Sequence, residues 1–431
     1  MTTFILDLND ADLRIGEADN VVTRSTGYAL LDQDQLLLGD AALRQFRLHP
    51  RQANNLYWHR LNTEALSHRG RDIANHADLV FRHLQRMAEA ARITASDELI
   101  IAAPATTTTD QLGLLLGIAQ QLGIKVTGIV DAAVAATANS EMPARFSYID
   151  VSLHRLSVTR IEGGDALNRT GWQDVSELSL AGLLDAWVNV IADRFVRETR
   201  FDPLANAATE QQVYNQLFDW VTSAAQAPEL GIEVQHGTNP RRIDLPASVL
   251  TDKAITRYRL AEKILDSEGL VLSHRAAALP GFHAWLCTHA SGLTVCDPDA
   301  VFSGVTAHLS AIRSAGDAIR FVTRLPSVGT RPAAKRAAPQ TPTHVLFGGR
   351  AIAIGAGVTL DHDLFPELPA RYPDGAIGVA PVQGNVRLSI APGITAAVDG
   401  APARDGASVR IGSAIEVAGA RVLLIEVDGG P

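Results

Sequence analysis

Apolar positions fall into short extended runs and helical stripes that alternate over the first three quarters of the chain. Residues 4–8 (FILDL) form an apolar run ending in Asn9-Asp10, and Leu13-Arg14-Ile15-Gly16 follows; strand, turn, strand is the expected reading. Leu30-Leu31 and Leu36-Leu37-Leu38 flank a polar stretch and predict a second hairpin, and residues 72–92 carry a charged helical pattern. Residues 98–103 (ELIIAA) read as a buried strand stopped by Pro104. Thr109-Asp110 then open a helix with Leu112, Leu115, Leu116, Ala119 and Leu122 on its apolar stripe and Gly123 in the C-cap position. Strand 125–130, the small-residue helix 131–138 and strand 146–149 complete an order that predicts an α/β layer with parallel pairing. Residues 156–161 return as an antiparallel strand before the turn Gly163-Gly164. Beyond lie a mainly helical region (178–221), an extended stretch (232–245), a helix (250–265), strand 270–272, and helices near 281–287 and 301–314.

The pattern changes after residue 324. Residues 325–342 (LPSVGTRPAAKRAAPQTP) hold four prolines, four alanines and no aromatic, which predicts an exposed tether carrying Arg331, Lys335 and Arg336 to solvent. Residues 343–431 contain 14 of the chain's 34 glycines, and turn pairs such as Asp374-Gly375, Gly384-Asn385, Asp399-Gly400 and Asp405-Gly406 separate short apolar pieces. A small all-β sandwich is the expected fold there.

Composition narrows the class. The 431 residues are 46% hydrophobic and 20% charged, ordinary for a globular chain of several domains. A net charge of −9 argues against a nucleic-acid coat, and no apolar run reaches the length of a membrane span. The two cysteines, Cys287 and Cys296, cannot form a disulfide framework, and the amino end lacks the pattern of a secretion signal, so a cytoplasmic location is expected.

Several segments resemble, in order and spacing, the actin-like ATPase superfamily and within it the DnaK-type 70-kDa heat-shock chaperones. Phe4 to Asp10 falls where that family has its first phosphate hairpin. Residues 97–138 follow its strand–proline–helix–strand–helix passage, Tyr148 to Ser152 fall at its second phosphate hairpin, and residues 270–286 with 297–301 look like its adenosine segment and the helix beyond. The resemblance implies an α/β two-lobed actin-like ATPase fold over residues 1–324, with lobes of about 1–148 and 149–324, then the linker 325–342 and the small β domain 343–431.

The chemistry departs from the family. Polyphosphate binding there needs glycine-rich hairpins whose N–H groups close on the phosphates. The first hairpin instead reads Asp7-Leu8-Asn9-Asp10-Ala11-Asp12, with extra carboxylates where phosphate oxygens belong. The second reads Asp150-Val151-Ser152-Leu153-His154-Arg155, with Leu153 and Arg155 where bare backbone is needed. Leu272-Ser273-His274-Arg275 stands where the family places a glycine pair, and His59 lies near the place of its phosphate-contacting lysine. Asp7, Asp131 and Asp150 resemble its cation- and water-positioning carboxylates. The expected site is therefore a vestigial nucleotide cleft of Asp7, Asp10, His59, Asp131, Asp150, Ser273 and His274, with no catalytic residue, no metal and no cofactor; ATP with magnesium is the alternative. Asp10 and Asp12 as a cation pair, and His283, Cys287, His289 and Cys296 as a zinc set, are weaker candidates. Trp172, Trp187, Trp220 and Trp285 are read as core residues in helices or adjoining turns.

Residues 398–427 loosely resemble the closing strands of forkhead-associated domains. Phosphothreonine reading in that family depends on an early arginine, for which Arg350 is the candidate, with a serine and histidine that have no clear counterpart here. The expected function is a chaperone-like pseudo-ATPase that acts as an adaptor for another protein, binding neither nucleic acid nor membrane. A divergent DnaK-type ATP-dependent chaperone and a phosphopeptide-binding regulator acting through the β domain are the alternatives.

Overall fold

Strand β1 (Thr3–Asp7) pairs antiparallel with β2 (Leu13–Glu17), and the register sets Asp7 opposite Arg14. Strand β3 (Asn20–Ser25) extends this meander. On the other side of β1 lie β4 (Glu98–Ala103) and β5 (Lys125–Asp131), both parallel to it, with the short strand Phe321–Val322 at the edge. Every residue of β4 is buried, as a parallel strand covered on both faces requires.

These coordinates come from a computed structural model, which describes all residues except 19, 33–34, 71, 225–226, 266–268, 291, 315, 317, 332–341, 361–375, 383–384, 418–419 and 427–431. The chain forms two compact units, residues 1–333 and 334–431.

The first unit contains a second six-stranded sheet built on the same order. Strand β6 (Arg145–Val151) is followed by the antiparallel strands β7 (Leu156–Glu162) and β8 (Ala166–Val175) on one side. On its other side lie the parallel strands β9 (Leu270–Leu272) and β10 (Leu293–Val295). An apolar cluster joins the two sheets: Ile5, Ile100 and Val130 from the first, Tyr148, Ile161 and Val271 from the second, and the wholly buried helix Ala132–Ala138. Helix Ala300–Ala307 closes on that helix so tightly that a Cβ at Gly304 would lie 1.8 Å from the Ala135 carbonyl oxygen. Only glycine permits the approach.

The second unit is all antiparallel. A six-stranded and a four-stranded sheet share a core that includes Val345, Val379, Leu388, Ile415, Val422 and Leu424. Strand Asn385–Ile390 alternates exposed and buried residues, the period-two signature of a sheet with one face in a core. Within the described residues, no helix is long and apolar enough to cross a membrane.

Three expectations need correction. The strand expected at 146–149 does not extend the first parallel layer; it is part of β6, which founds the second sheet, so the lobe boundary set at 148/149 falls inside a strand. Nor is the first sheet drawn from residues 1–148 alone, because Phe321–Val322 returns to pair with β5. The tether does not begin at 325. Strand Arg324–Pro326 pairs with β8, Leu325 is fully buried in the inter-sheet cluster, and Thr330–Arg331 pairs with Met142–Pro143. A single apolar residue in a proline-flanked stretch carries little periodic signal, which hid this strand. Lys335 and Arg336, and the turn pair Asp374-Gly375, lie outside the described residues.

Candidate functional site

The turns after β1 and β6 face each other, and side chains rather than bare loops fill the space between them. Pairing of Ile149 with Leu272 brings Ser273 beside Asp150, and Ser273 caps the one-turn helix His274–Ala277 that carries Arg275. Arg275 Nη1 donates to Asp7 Oδ2 at 2.9 Å, Nη2 to Asp150 Oδ2 at 3.0 Å and Nε to Asp150 Oδ1 at 3.2 Å. One buried guanidinium thus ties a carboxylate of the first sheet to one of the second. Arg14 completes the cluster, donating to Asp7 Oδ2 from Nη2 at 2.6 Å and Nε at 3.2 Å and to the Pro298 carbonyl from Nη1. Two carboxylates meet two guanidiniums, so the cluster is neutral. Burial pushes the Asp7 carboxyl up, but Arg275 and Arg14 outweigh it and hold it below the ordinary range.

Further bonds cross between the turns. Asn9 Nδ2 donates to Asp150 Oδ2 and to the Val151 carbonyl, both at 3.0 Å, and Ser273 Oγ donates to Asp150 Oδ1 at 2.6 Å. Leu153 N donates to Asp10 Oδ1 at 2.8 Å; burial raises the Asp10 carboxyl in spite of that bond and of His154. Leu153 itself is buried against Tyr28, Leu30 and Ala42. Asp12 does not pair with Asp10: it takes Arg24 Nε and Nη2 at 3.1 and 2.9 Å, with His274 Nε2 3.7 Å away. In this acidic turn Asp7 and Asp12 are paired with arginines, Asp12 also lying 3.6 Å from Arg14 Nε, while Asp10 is held by a backbone N–H.

Other candidates sit elsewhere. His59 accepts from Arg155 Nη2 at 2.9 Å, and burial, with Arg155 and His154 nearby, lowers it to about 4, so it is neutral at physiological pH. His154 reaches the Asn55 carbonyl at 2.7 Å. Asp131 contacts neither hairpin through its side chain. It caps helix Ala132–Ala138 through Ala133 N and Val134 N and pairs with Arg169 at 2.7 Å; burial pushes its carboxyl up against those partners. Cys287 Sγ lies 3.8 Å from His283 Nδ1, whereas the buried Cys296 contacts the Ala136 carbonyl and His289 bonds the Trp285 carbonyl. Among the described residues, no group of three potential ligands converges on a metal position. Trp187 and Trp285 are core residues and Trp220 packs against the same core, but Trp172 lies on strand β8, 43% exposed.

Two spaces flank the Arg275 bridge. One is a cleft of about 820 Å³ lined by Arg24, Ser25, Arg44, Leu180, Phe218 and Leu279 among others; the second, about 70 Å³, lies by Asn9, His59 and Arg155. A further set of bonds crosses the first unit away from the hairpins. Arg47 Nη2 pairs with Asp185 at 2.6 Å and its guanidinium stacks 3.9 Å over the Tyr214 ring, while Gln211 accepts from Arg47 N and donates to the Leu43 carbonyl. Sequence reasoning placed Arg275 as a misfit for a glycine position but missed its role as a bridge. The available signal was an arginine at a site expected to hold two carboxylates without a cation. No family model matches the chain, and no curated protein matches it.

Proposed function

We propose that the first unit is a two-lobed actin-like domain of the DnaK type that has exchanged nucleotide binding for a fixed ionic bridge and serves in the cytoplasm as a scaffold for another protein. The observation that carries this reading is Arg275 bonded to both Asp7 and Asp150. A magnesium–triphosphate needs those carboxylates free to hold a cation and its water, and it needs open backbone where Leu153 is packed; the residues present do not fit it. The repeated strand order of the two sheets supports the superfamily assignment, and the Arg47–Asp185–Gln211 contacts support a single closed arrangement rather than a cycle. The C-terminal sandwich is a second contact surface, and a tether raises its effective concentration at the partner. A fold does not carry its ancestor's activity.

Calorimetric titration of the full chain with ATP and magnesium tests the reading. The expected result is no saturable heat and no phosphate release. Saturable binding with matching hydrolysis would replace it with the divergent chaperone ATPase. Affinity capture from native cells then identifies the partner.

A further inference from the structure

Ser25, on the wall of the 820 Å³ cleft, ends a buried arrangement that the ionic bridge does not explain. Trp58 Nε1, which can only donate, points at His83 Nδ1 at 3.0 Å, and Tyr57 Oη lies 2.6 Å from the same nitrogen. His83 is buried and neutral, lowered to about 3 by desolvation. Its single ring proton therefore sits on Nε2 and is donated to Ser25 Oγ at 2.7 Å. Ser25 can thus not lose its proton to His83, which removes a nucleophile reading. Its own hydroxyl proton is left to donate into the cleft that Ser25 lines.

Around Ser25 the wall is polar and compact. Gly39 adopts φ +66°, and a Cβ there would lie 2.2 Å from Ser25 Oγ, so this glycine seats the hydroxyl directly before Asp40. Asp40 Oδ1 accepts from Thr26 Oγ1 at 3.2 Å. Arg44 follows Asp40 by four residues, hence on the same side of that turn. Among the described residues, neither Asp40 nor Arg44 has an ion-pair partner, whereas Arg24 and Arg275 in the same cleft are both engaged. Apolar side chains line the cleft as well, Leu180, Trp187, Val221, Leu279 and the 46%-exposed Phe218, with Tyr214, Asn215 and Thr222 among them. A volume of this size lies in the range of about 300–1,000 Å³ typical of small-molecule sites.

We propose that this cleft binds a small zwitterion with an apolar body, of the class of a hydrophobic amino acid or short peptide. Arg44 and the Ser25 hydroxyl take the carboxylate, Asp40 takes the ammonium, and the apolar lining residues take the side chains. A monoanion would leave Asp40 uncompensated beside its carboxylate, and a cation would leave Arg44 so; the zwitterion answers both. This site is independent of whether the chain also holds a protein partner.

The test uses the full chain and the dipeptide L-phenylalanyl-L-leucine, with its N-acetyl and C-terminal amide forms as controls, followed by calorimetry. The expected result is one saturable site for the free dipeptide, with both blocked forms at least about tenfold weaker, the loss of one charge-assisted bond. Arg44→Gln should weaken the free and N-acetyl forms alike, while Asp40→Asn should weaken the free form and leave the N-acetyl form unchanged. Both residues are exposed, so neither substitution threatens the fold. Absence of saturation at millimolar dipeptide, equal affinity for the blocked forms, or indifference to both substitutions would each overturn the proposal.

Discussion

Replacing Arg275 by methionine keeps most of the side-chain volume and removes the charge, so it isolates the bridge. In the wild-type chain Arg275 supplies three bonds, one to Asp7 and two to Asp150. Without it neither carboxylate is bare. Asp7 keeps both bonds from Arg14, and Asp150 keeps Ser273, Asn9 and Val151 N. Breaking a buried pair by removing one partner costs about 3–5 kcal/mol; the residual bonds place Arg275→Met near the lower end, about 3 kcal/mol at neutral pH. The cluster would then carry one uncompensated negative charge, which a proton can neutralise. The pH dependence has a definite sign. In the wild type the Asp7 carboxyl is held below its unfolded value of about 3.9. Its contribution is present above that value and lost as pH falls through the folded one, so it stays constant between pH 7.5 and about 5. In the variant the carboxyl rises, and the gap to the wild type should shrink over that same interval. Urea unfolding at pH 7.5 and at pH 5 measures both effects through the midpoint at unchanged slope. Asp150→Asn added to Arg275→Met should recover part of the loss, a coupling that a double-mutant cycle reads directly. A loss below about 1 kcal/mol, or a gap that stays constant to pH 5, would refute the claim that Arg275 neutralises two buried carboxylates.

Three other outcomes follow from specific contacts. Leu325→Asp, or truncation after residue 324, should lower the thermal midpoint of the first unit clearly more than truncation after residue 333, since Leu325 is fully buried and its strand pairs with β8; equal midpoints would return these residues to the tether. Cys287 is exposed and should react with a thiol reagent in the native chain. Cys296 is buried with its thiol pushed up to about 12, so a second equivalent should appear only on unfolding. Nitrogen NMR should show His83 with its proton on Nε2 and no titration from pH 8 to 5, because its folded value lies near 3; the stability it confers is present above the unfolded value of about 6.5 and is lost as pH falls toward the folded one.

Local pattern carried far in the first unit because its strands and helices are bounded by strong punctuation. The run 98–103, the helix opened by Thr108 as a capping box, and Gly123 at φ +71° stand where periodicity and capping rules put them. What failed was long-range assignment. Strand β6 looks like a third member of a parallel layer, since nothing local distinguishes a strand that extends one sheet from a strand that starts another. Leu325 stands at the head of a proline-rich stretch, and one buried leucine has no period. Trp172 lies on an exposed face of β8, where hydrophobicity alone suggests burial. At the site, the departures from glycine were readable at Leu153, Arg155 and Arg275, but the pairing was not. Arg275 lies 268 residues from Asp7 and 125 from Asp150; the register of β6 with β9 brings Arg275 beside Asp150, and the packing of the two sheets against each other brings Asp7 to both.

The same bridge sets an energetic barrier to any polyanion entering between the two turns. A cation-bound triphosphate entering between the hairpins must first release a guanidinium held by two buried carboxylates. At about 3–5 kcal/mol for breaking such a pair, that step alone removes two to three and a half decades of affinity, at roughly 1.4 kcal/mol per decade. Introducing glycine into one of the turns would leave this cost untouched, because the bridge is anchored on both sheets and on the helix cap at Ser273. The bridge also fixes the two sheets to each other by bonds internal to the chain, so their arrangement is held without any bound ligand.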